Sequence, residues 1–113
     1  MIRNPLDDAE AAGLRVDIVM LGDWGSARLL SEYDHAARTI RVDGASLAAI
    51  RDRGGAHAGV AFVAAAVAHE LYHHDVAVGR IARSSRTEEE VHACERVLRR
   101  YGIDASIFEA ALR

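Results

Sequence analysis

The feature that most constrains this sequence is a long apolar run that leads directly into ionisable residues. From Val60 to Leu71 the chain is apolar at nearly every position. This run predicts a helix over residues 58–78 that is covered on several sides, because a helix without a polar face is buried. The same helix carries four ionisable side chains: His69, Glu70, His73 and His74. Since a buried polar group without a partner costs roughly 1–3 kcal/mol, their placement there requires an explanation.

Residues 69–73 form the pattern His-Glu-x-x-His. On a helix, residues four apart lie one turn apart on the same face, so His69 and His73 can both reach one zinc ion at about 2.0–2.1 Å. Glu70 is turned about 60–100° away from them, where it can accept a proton from a water molecule polarised by the metal. The spacing predicts Zn²⁺ bound by the two histidines, with Glu70 as the catalytic base. The alternative is that both histidines only form hydrogen bonds at a solvated helix end.

Zinc needs a third protein ligand if a water molecule is to hold the fourth position. The extended pattern with a third histidine fails here, because Val76 and Gly79 stand where it requires glycine and histidine. Three consecutive glutamates at residues 88–90 offer a carboxylate instead.

Helical geometry distinguishes among these three glutamates. The predicted helix over residues 87–101 has its apolar face at Val91, Cys94, Leu98 and Tyr101. In this projection Glu90 lies about 40° from Cys94, whereas Glu88 and Glu89 lie about 120° and 140° away. Only Glu90 then points inward, and it is the predicted third metal ligand. Cys94 is interpreted as a packed small hydrophobic residue. His74 is interpreted as a solvated or capping histidine; the alternative is that it tunes the Glu70 carboxylate, about 40° away round the helix, or binds substrate.

Thr87 and Glu90 also match a capping box, in which the glutamate carboxylate reaches back to the start of its helix. This role would use the same carboxylate as the metal. The two interpretations of Glu90, ligand and helix cap, therefore compete.

The rest of the chain predicts an α+β fold, with a short antiparallel or mixed sheet of about three strands packed on the buried helix. Alternating and β-branched residues indicate the strands, and proline, glycine and turn residues mark the boundaries. The predicted elements are a helix at 6–14, a strand at 16–21, a loop at 22–25, a hairpin of 27–33 with 39–43 turning at 34–37, a helix at 45–52 closed by Gly54 and Gly55, and a tail helix at 105–112.

The composition narrows the class of protein. A chain of 113 residues suits one compact domain, residues 1–113. Its net charge of −3 argues against a nucleic-acid-binding protein. The single cysteine excludes an internal disulfide and a thiolate zinc cage. With no signal segment and no apolar stretch long enough to span a bilayer, we expect a cytoplasmic protein without a membrane partner.

The order of motifs resembles a minimal gluzincin, a zincin-like metallopeptidase with a His-Glu-x-x-His helix and a glutamate helix. Residues 90–98, Glu-Val-His-Ala-Cys-Glu-Arg-Val-Leu, are similar to the Glu-Ala-Asn-x-Phe-Ala-x-x-Leu-Leu segment of ImmA/IrrE-type metallopeptidases. The hairpin at 33–42 resembles the strand pair of that family. The resemblance covers roughly residues 27–100.

This resemblance implies zinc held by His69, His73 and Glu90, with Glu70 as general base and then acid. It implies hydrolysis of a protein or peptide substrate, with residues 39–43 as an edge strand that holds the extended substrate. It also implies that a terminal segment around Phe108 could cover the cleft. The chain departs from the family pattern at four residues: Tyr72, His92, Cys94 and Glu95. These departures motivate an alternative, a non-catalytic zincin-like module that binds metal or a regulatory partner.

Overall fold

The computed structural model describes residues 3–24, 27–28, 30–104 and 108. Its α+β architecture confirms the predicted fold class: a three-stranded mixed sheet is followed by a long helix and a second helix. The elements in chain order are α1 (Pro5–Ala11), β1 (Arg15–Val19), β2 (Asp23–Trp24), β3 (Ala27–Arg28), β4 (Ser31–Asp34), β5 (Thr39–Asp43), α2 (Gly44–Ala77) and α3 (Arg86–Tyr101).

The main sheet has the strand order β1-β5-β4, and β2 and β3 form a separate two-stranded pair. β4 and β5 are antiparallel, as the predicted hairpin requires, while β1 runs parallel to β5. The prediction that residues 39–43 form an edge strand is wrong. β5 is the central strand, and four of its five residues are buried. The predicted strand at 27–33 is also divided into β3 and β4.

α2 contains the two helices that the sequence predicts. Asp43 caps its first turn by accepting from the Ser46 backbone N–H at 3.0 Å and the Ser46 hydroxyl at 2.6 Å. The backbone leaves helical geometry at Gly55, with φ 83° and ψ −175°. A side chain is strained at this positive φ, which explains why glycine stands where one helical segment passes into the next.

The second segment of α2 forms the centre of the core, which confirms the prediction of a helix covered on several sides. Residues from the sheet, from α1 and from α3 pack against it. The core cluster includes Ala9, Ile40, Val42, Phe62, Val67, Ala68, Leu71, Val97 and Tyr101.

A tight turn and an ion pair bring α3 back against α2. Gly79, at φ 83°, allows the chain to reverse after α2. An Arg96 guanidinium nitrogen then lies 2.6 Å from the Asp75 carboxylate, and the guanidinium lies 5.7 Å from the centre of the Tyr72 ring. These contacts hold the middle of α3 beside the last turns of α2.

The start of α3 differs from the prediction. Ser85 caps the helix by accepting from the Glu88 backbone N–H at 3.2 Å, so Thr87 already lies inside the helix. The capping box predicted for Thr87 and Glu90 is therefore wrong, and the competing interpretation of Glu90 as a cap falls with it. The helix ends at Gly102, as predicted.

The buried face of α3 also differs from the predicted one. Ala93, Val97 and Tyr101 are buried, whereas Val91 and Leu98 are 51% and 54% exposed. Cys94 is exposed too, so its interpretation as a packed core residue is wrong. The inward direction is rotated by roughly 80° relative to the prediction. The small side chain of Ala93 explains the difference, because it packs closely against Tyr72 and Val76 of α2.

None of the helices in the described part of the chain combines the length and apolarity needed to cross a bilayer. The predicted tail helix at 105–112 lies outside the described residues except for Phe108. This residue is buried, and its ring centre lies 5.6 Å from that of Phe62.

Candidate metal centre

Three side chains from two helices converge beside the last turns of α2. The Nε2 atoms of His69 and His73 lie 3.2 Å apart. One carboxylate oxygen of Glu90 lies 3.0 Å from Nε2 of His69, and the other lies 2.9 Å from Nε2 of His73. The three groups each offer one ligand atom, and these atoms all lie within 4.8 Å of one another.

The donor set and its dimensions fit a zinc ion. Imidazole nitrogen and carboxylate oxygen are both zinc ligands, and bonds of about 2.0–2.1 Å in a tetrahedron place ligand atoms roughly 3.3 Å apart. The contacts among His69, His73 and Glu90, at 2.9–3.2 Å, are close to this spacing. The sequence spacing therefore brings together a His-His-Glu group that could hold a metal ion.

The charges of these side chains depend strongly on one another. Burial alone lowers the pKa of His69, but hydrogen bonds with Cys94 and Glu90 and the charges of Glu70 and Glu90 outweigh it and raise the pKa to about 10. The pKa of His73 is likewise raised, because Glu90 and Glu89 outweigh burial. The hydrogen bonds from both histidines hold the pKa of Glu90 well below its usual range. The carboxylates around the two imidazoles thus favour positive charge at this position.

Glu89 also faces this cluster. Its carboxylate accepts from Nδ1 of His73 at 2.5 Å, on the side of the ring opposite Nε2. The prediction that only Glu90 points inward is therefore wrong. With Ala93 and Val97 at the centre of the buried face, both Glu89 and Glu90 lie within about 80° of it.

Glu70 lies on the adjacent face of α2, about 100° round the helix from His69, and faces β4. It is only 4% exposed, and its Oε2 accepts from the Ser31 hydroxyl at 2.6 Å. Burial raises the pKa of the Glu70 carboxyl, although the nearby His69 and the Ser31 hydrogen bond act in the opposite direction. A carboxyl whose pKa is raised toward neutrality is suited to accept and release a proton.

His74 lies one turn beyond Glu70 on the same face. It is 3% exposed rather than solvated, which corrects the sequence interpretation. Its Nδ1 lies 2.7 Å from the Tyr33 hydroxyl, which also lies 2.7 Å from Nδ1 of His35. Burial lowers the pKa of His74. This histidine therefore belongs to a hydrogen-bonded network that joins α2 to β4 and the turn after it.

A cavity of about 700 Å³ opens beside the cluster. Phe62, Ala65 and Phe108 contribute apolar surface to its wall. The polar part of the wall contains β4 and the ionisable groups of both helices, and Arg83 and Arg86 also line the cavity. Phe108 thus lies beside the cleft, where the sequence resemblance places a terminal segment.

Three contacts at this site were not anticipated from the sequence: those of Glu89, Ser31 and Tyr33. A signal existed for Glu89, because it shares a helical face with Ala93 and Arg96 at spacings of four and seven. Ser31 and Tyr33 alternate along β4 and therefore point to the same side, but their partners on α2 are about 40 positions away.

The arrangement offers nitrogen and oxygen ligands for a divalent ion, a buried carboxylate that can exchange protons, and a cavity beside both. This combination is suited to metal-assisted hydrolysis. Comparisons of the chain with models of protein families, with curated proteins and with solved structures found no match.

Proposed function

We propose that this protein is a zinc-dependent peptidase of the gluzincin type. The observation that carries the proposal is the convergence of His69, His73 and Glu90 on one point, at distances that suit a tetrahedral ion. His69, His73 and Glu90 would hold the zinc. Bound there, zinc would supply Lewis-acid chemistry, polarising a substrate carbonyl and lowering the pKa of a coordinated water molecule.

Glu70 is the proposed proton carrier in this reaction. Its Oε2 is occupied by the Ser31 hydroxyl, so Oε1 is the atom left to accept a proton from the attacking water. The same carboxyl then donates that proton to the nitrogen of the leaving amine as the peptide bond breaks. Because burial raises the pKa of Glu70, its carboxyl holds the transferred proton more readily than an exposed glutamate would.

The proposed substrate is a protein or peptide in extended conformation. β4 is bonded to β5 along one edge, and no described strand pairs with its other edge. Residues 31–33 of β4 line the cavity beside the cluster. An extended peptide could add to this edge as a further strand, with its side chains in the cavity. The proposed substrate-binding edge strand is therefore β4 and not residues 39–43, which form the centre of the sheet.

Metal analysis and a single substitution test the proposal. Purified protein should contain about one zinc per chain, and Glu70→Gln should reduce kcat for peptide hydrolysis by about 10²–10⁴-fold, the usual contribution of a general base. Zinc affinity should change little, because Glu70 is not among the proposed ligands. Glu95→Gln, on the exposed surface of α3, is the matched control. Unchanged hydrolysis by Glu70→Gln would contradict the mechanism.

A second candidate function is a non-catalytic zinc-binding module. The near-complete burial of Glu70 favours it, because a sealed carboxylate hydrogen-bonded to Ser31 has little access to water. This candidate predicts tight zinc binding and no hydrolysis across a broad peptide library. Hydrolysis that disappears in Glu70→Gln would exclude it.

A further inference from the structure

The two proposed histidine ligands have different partners on their second ring nitrogen. Nδ1 of His73 lies 2.5 Å from an oxygen of Glu89. Among the residues that the structure describes, Nδ1 of His69 contacts only the Cys94 sulfur, at 3.8 Å, and sulfur is a weak hydrogen-bond acceptor. His73 is therefore held by a charged acceptor, whereas His69 is held loosely.

The effect of Glu89 on His73 depends on which ring nitrogen it contacts, and that nitrogen is Nδ1. A neutral imidazole carries one proton, on Nδ1 or on Nε2, and only the nitrogen without it can bind a metal. When Nδ1–H donates to a carboxylate, the proton is fixed there and the lone pair of Nε2 is free. In His73, Nε2 is the atom that faces His69 and Glu90.

We propose that Glu89 is a positioning residue that fixes the ring of His73 in the tautomer and orientation required for metal binding. The inference rests on the proposed zinc site but not on peptide hydrolysis. Carboxylates that accept from a metal-binding histidine orient it and increase its basicity, and their loss typically costs about 10–100-fold in metal affinity.

Direct coordination by Glu89 does not fit the geometry. Its carboxylate contacts Nδ1 of His73, while both imidazole contacts of Glu90 are made through Nε2. Glu89 is also partly buried beside His73, with 24% of its side chain exposed, compared with 53% for Glu90. The two neighbouring glutamates thus have separate tasks: Glu90 supplies a ligand atom, and Glu89 holds a ligand in place.

The test measures the zinc affinity of the full chain by competition with a zinc-binding dye. Glu89→Ala should bind zinc about 10–100-fold more weakly than the unmodified protein. Glu88→Ala is the matched control, since it removes the same charge from the same turn of α3 at an exposed position. It should bind zinc normally. Thermal unfolding of the metal-free variants checks that each is folded.

Two further measurements separate positioning from a general electrostatic or structural effect. Glu89→Gln keeps an oxygen that can accept from Nδ1–H, so its zinc affinity should lie between those of the unmodified protein and Glu89→Ala. In ¹⁵N NMR spectra of the zinc-loaded protein, the Nδ1–H of His73 should exchange slowly with water. It should exchange rapidly in Glu89→Ala and slowly in Glu88→Ala.

The outcomes distinguish this inference from the proposed function. Zinc binding without hydrolysis would overturn only the peptidase. Equal zinc affinity in the unmodified protein and Glu89→Ala, equal losses in Glu88→Ala and Glu89→Ala, or a Glu89→Gln affinity as low as that of Glu89→Ala would overturn only the positioning role. Failure of the unmodified protein to bind zinc would overturn both.

Discussion

Two adjacent faces of α2 each carry a pair of ionisable residues, but the two pairs contact different chemical groups. His69 and His73 face the first turn of α3, are partly exposed, and contact carboxylates. Glu70 and His74 face β4, are almost fully buried, and contact hydroxyl groups. The two members of each pair are four positions apart, so each pair lies along one face of α2. The geometry of the helix alone therefore does not distinguish the two pairs.

The partner element therefore decides the role of each face. The carboxylates of α3 favour the positively charged form of the imidazoles. They would also favour a metal cation bound by the neutral imidazoles. The hydroxyls of β4 can donate and accept without carrying charge, so they satisfy the buried Glu70 and His74 without adding a charge of their own. The role of each histidine on α2 thus depends on the groups that it contacts. Opposite carboxylates it is a proposed metal ligand, and opposite a hydroxyl group it is a structural residue.

The largest expected effect comes from replacing one histidine on each face by alanine and comparing the two variants. His69→Ala should weaken zinc binding by more than about 100-fold, beyond the loss typical of an outer hydrogen-bonding partner. His74→Ala should leave zinc affinity within a few-fold and instead destabilise the fold by about 1–3 kcal/mol, because a buried side chain and its hydrogen bond to the partly buried Tyr33 are lost. Dye competition and thermal unfolding measure the two effects. Similar zinc affinities for both variants would remove the distinction between the faces.

The acidic face should also make zinc binding strongly dependent on pH. Because the pKa of His69 is raised to about 10 in the metal-free protein, zinc must displace a proton at neutral pH. As the pH is lowered, zinc affinity should fall by about tenfold per pH unit for each proton that zinc displaces. Titrations at several pH values between 8 and 6 test the sign and the slope. Affinity that does not change over this range would contradict the assignment of both histidines.

A smaller effect is expected on the buried face from Ser31→Ala. Without its hydroxyl donor, the buried Glu70 carboxylate loses a hydrogen bond worth about 1–3 kcal/mol. Since that bond lowers the pKa of Glu70, its removal should raise the pKa further. The acidic limb of the pH–rate profile should then move to higher pH, while zinc affinity stays constant. An unshifted limb would argue that Ser31 does not influence the base.

The smallest effect is expected far from both faces, at the start of α2. Asp43→Ala removes the helix cap and should cost about 0.5–2 kcal/mol of unfolding free energy without changing zinc affinity. Burial raises the pKa of Asp43, but hydrogen bonds from Ser46 and the Leu21 backbone outweigh it, so the folded pKa is below the unfolded one. This stabilisation is therefore present above the unfolded pKa of about 3.9 and is lost as pH falls through the folded pKa. The difference between the two proteins should shrink in acid denaturation experiments.

Local spacing explains which features could be predicted from the sequence. The positions of His69 and His73 on one face follow from the geometry of a single helix, and the pairing of β4 with β5 follows from a short turn. Glu90 was also assigned to the inward side of its helix. These relations depend on residues close together in the chain.

The features that could not be predicted depend on contacts between distant elements. The central position of β5 results from its parallel pairing with β1, which no short turn specifies. The rotation of α3 depends on Ala93 packing against α2, whereas the larger side chains of Val91 and Leu98 favoured a different face. This rotation turns Glu89 toward His73 and leaves Cys94 exposed, the reverse of what the apolar pattern of α3 predicts.

The small interface of α3 gives bound metal a mechanical consequence. α3 buries only three of its own side chains, Ala93, Val97 and Tyr101, and His69 and Glu90 are 21 positions apart in the chain. An ion shared by both helices would act as a cross-link that closes this segment into a loop and lowers the entropy of the detached state. Metal supply would then control how firmly the second helix is attached, and chelation should accelerate amide exchange in α3 well before the sheet is affected.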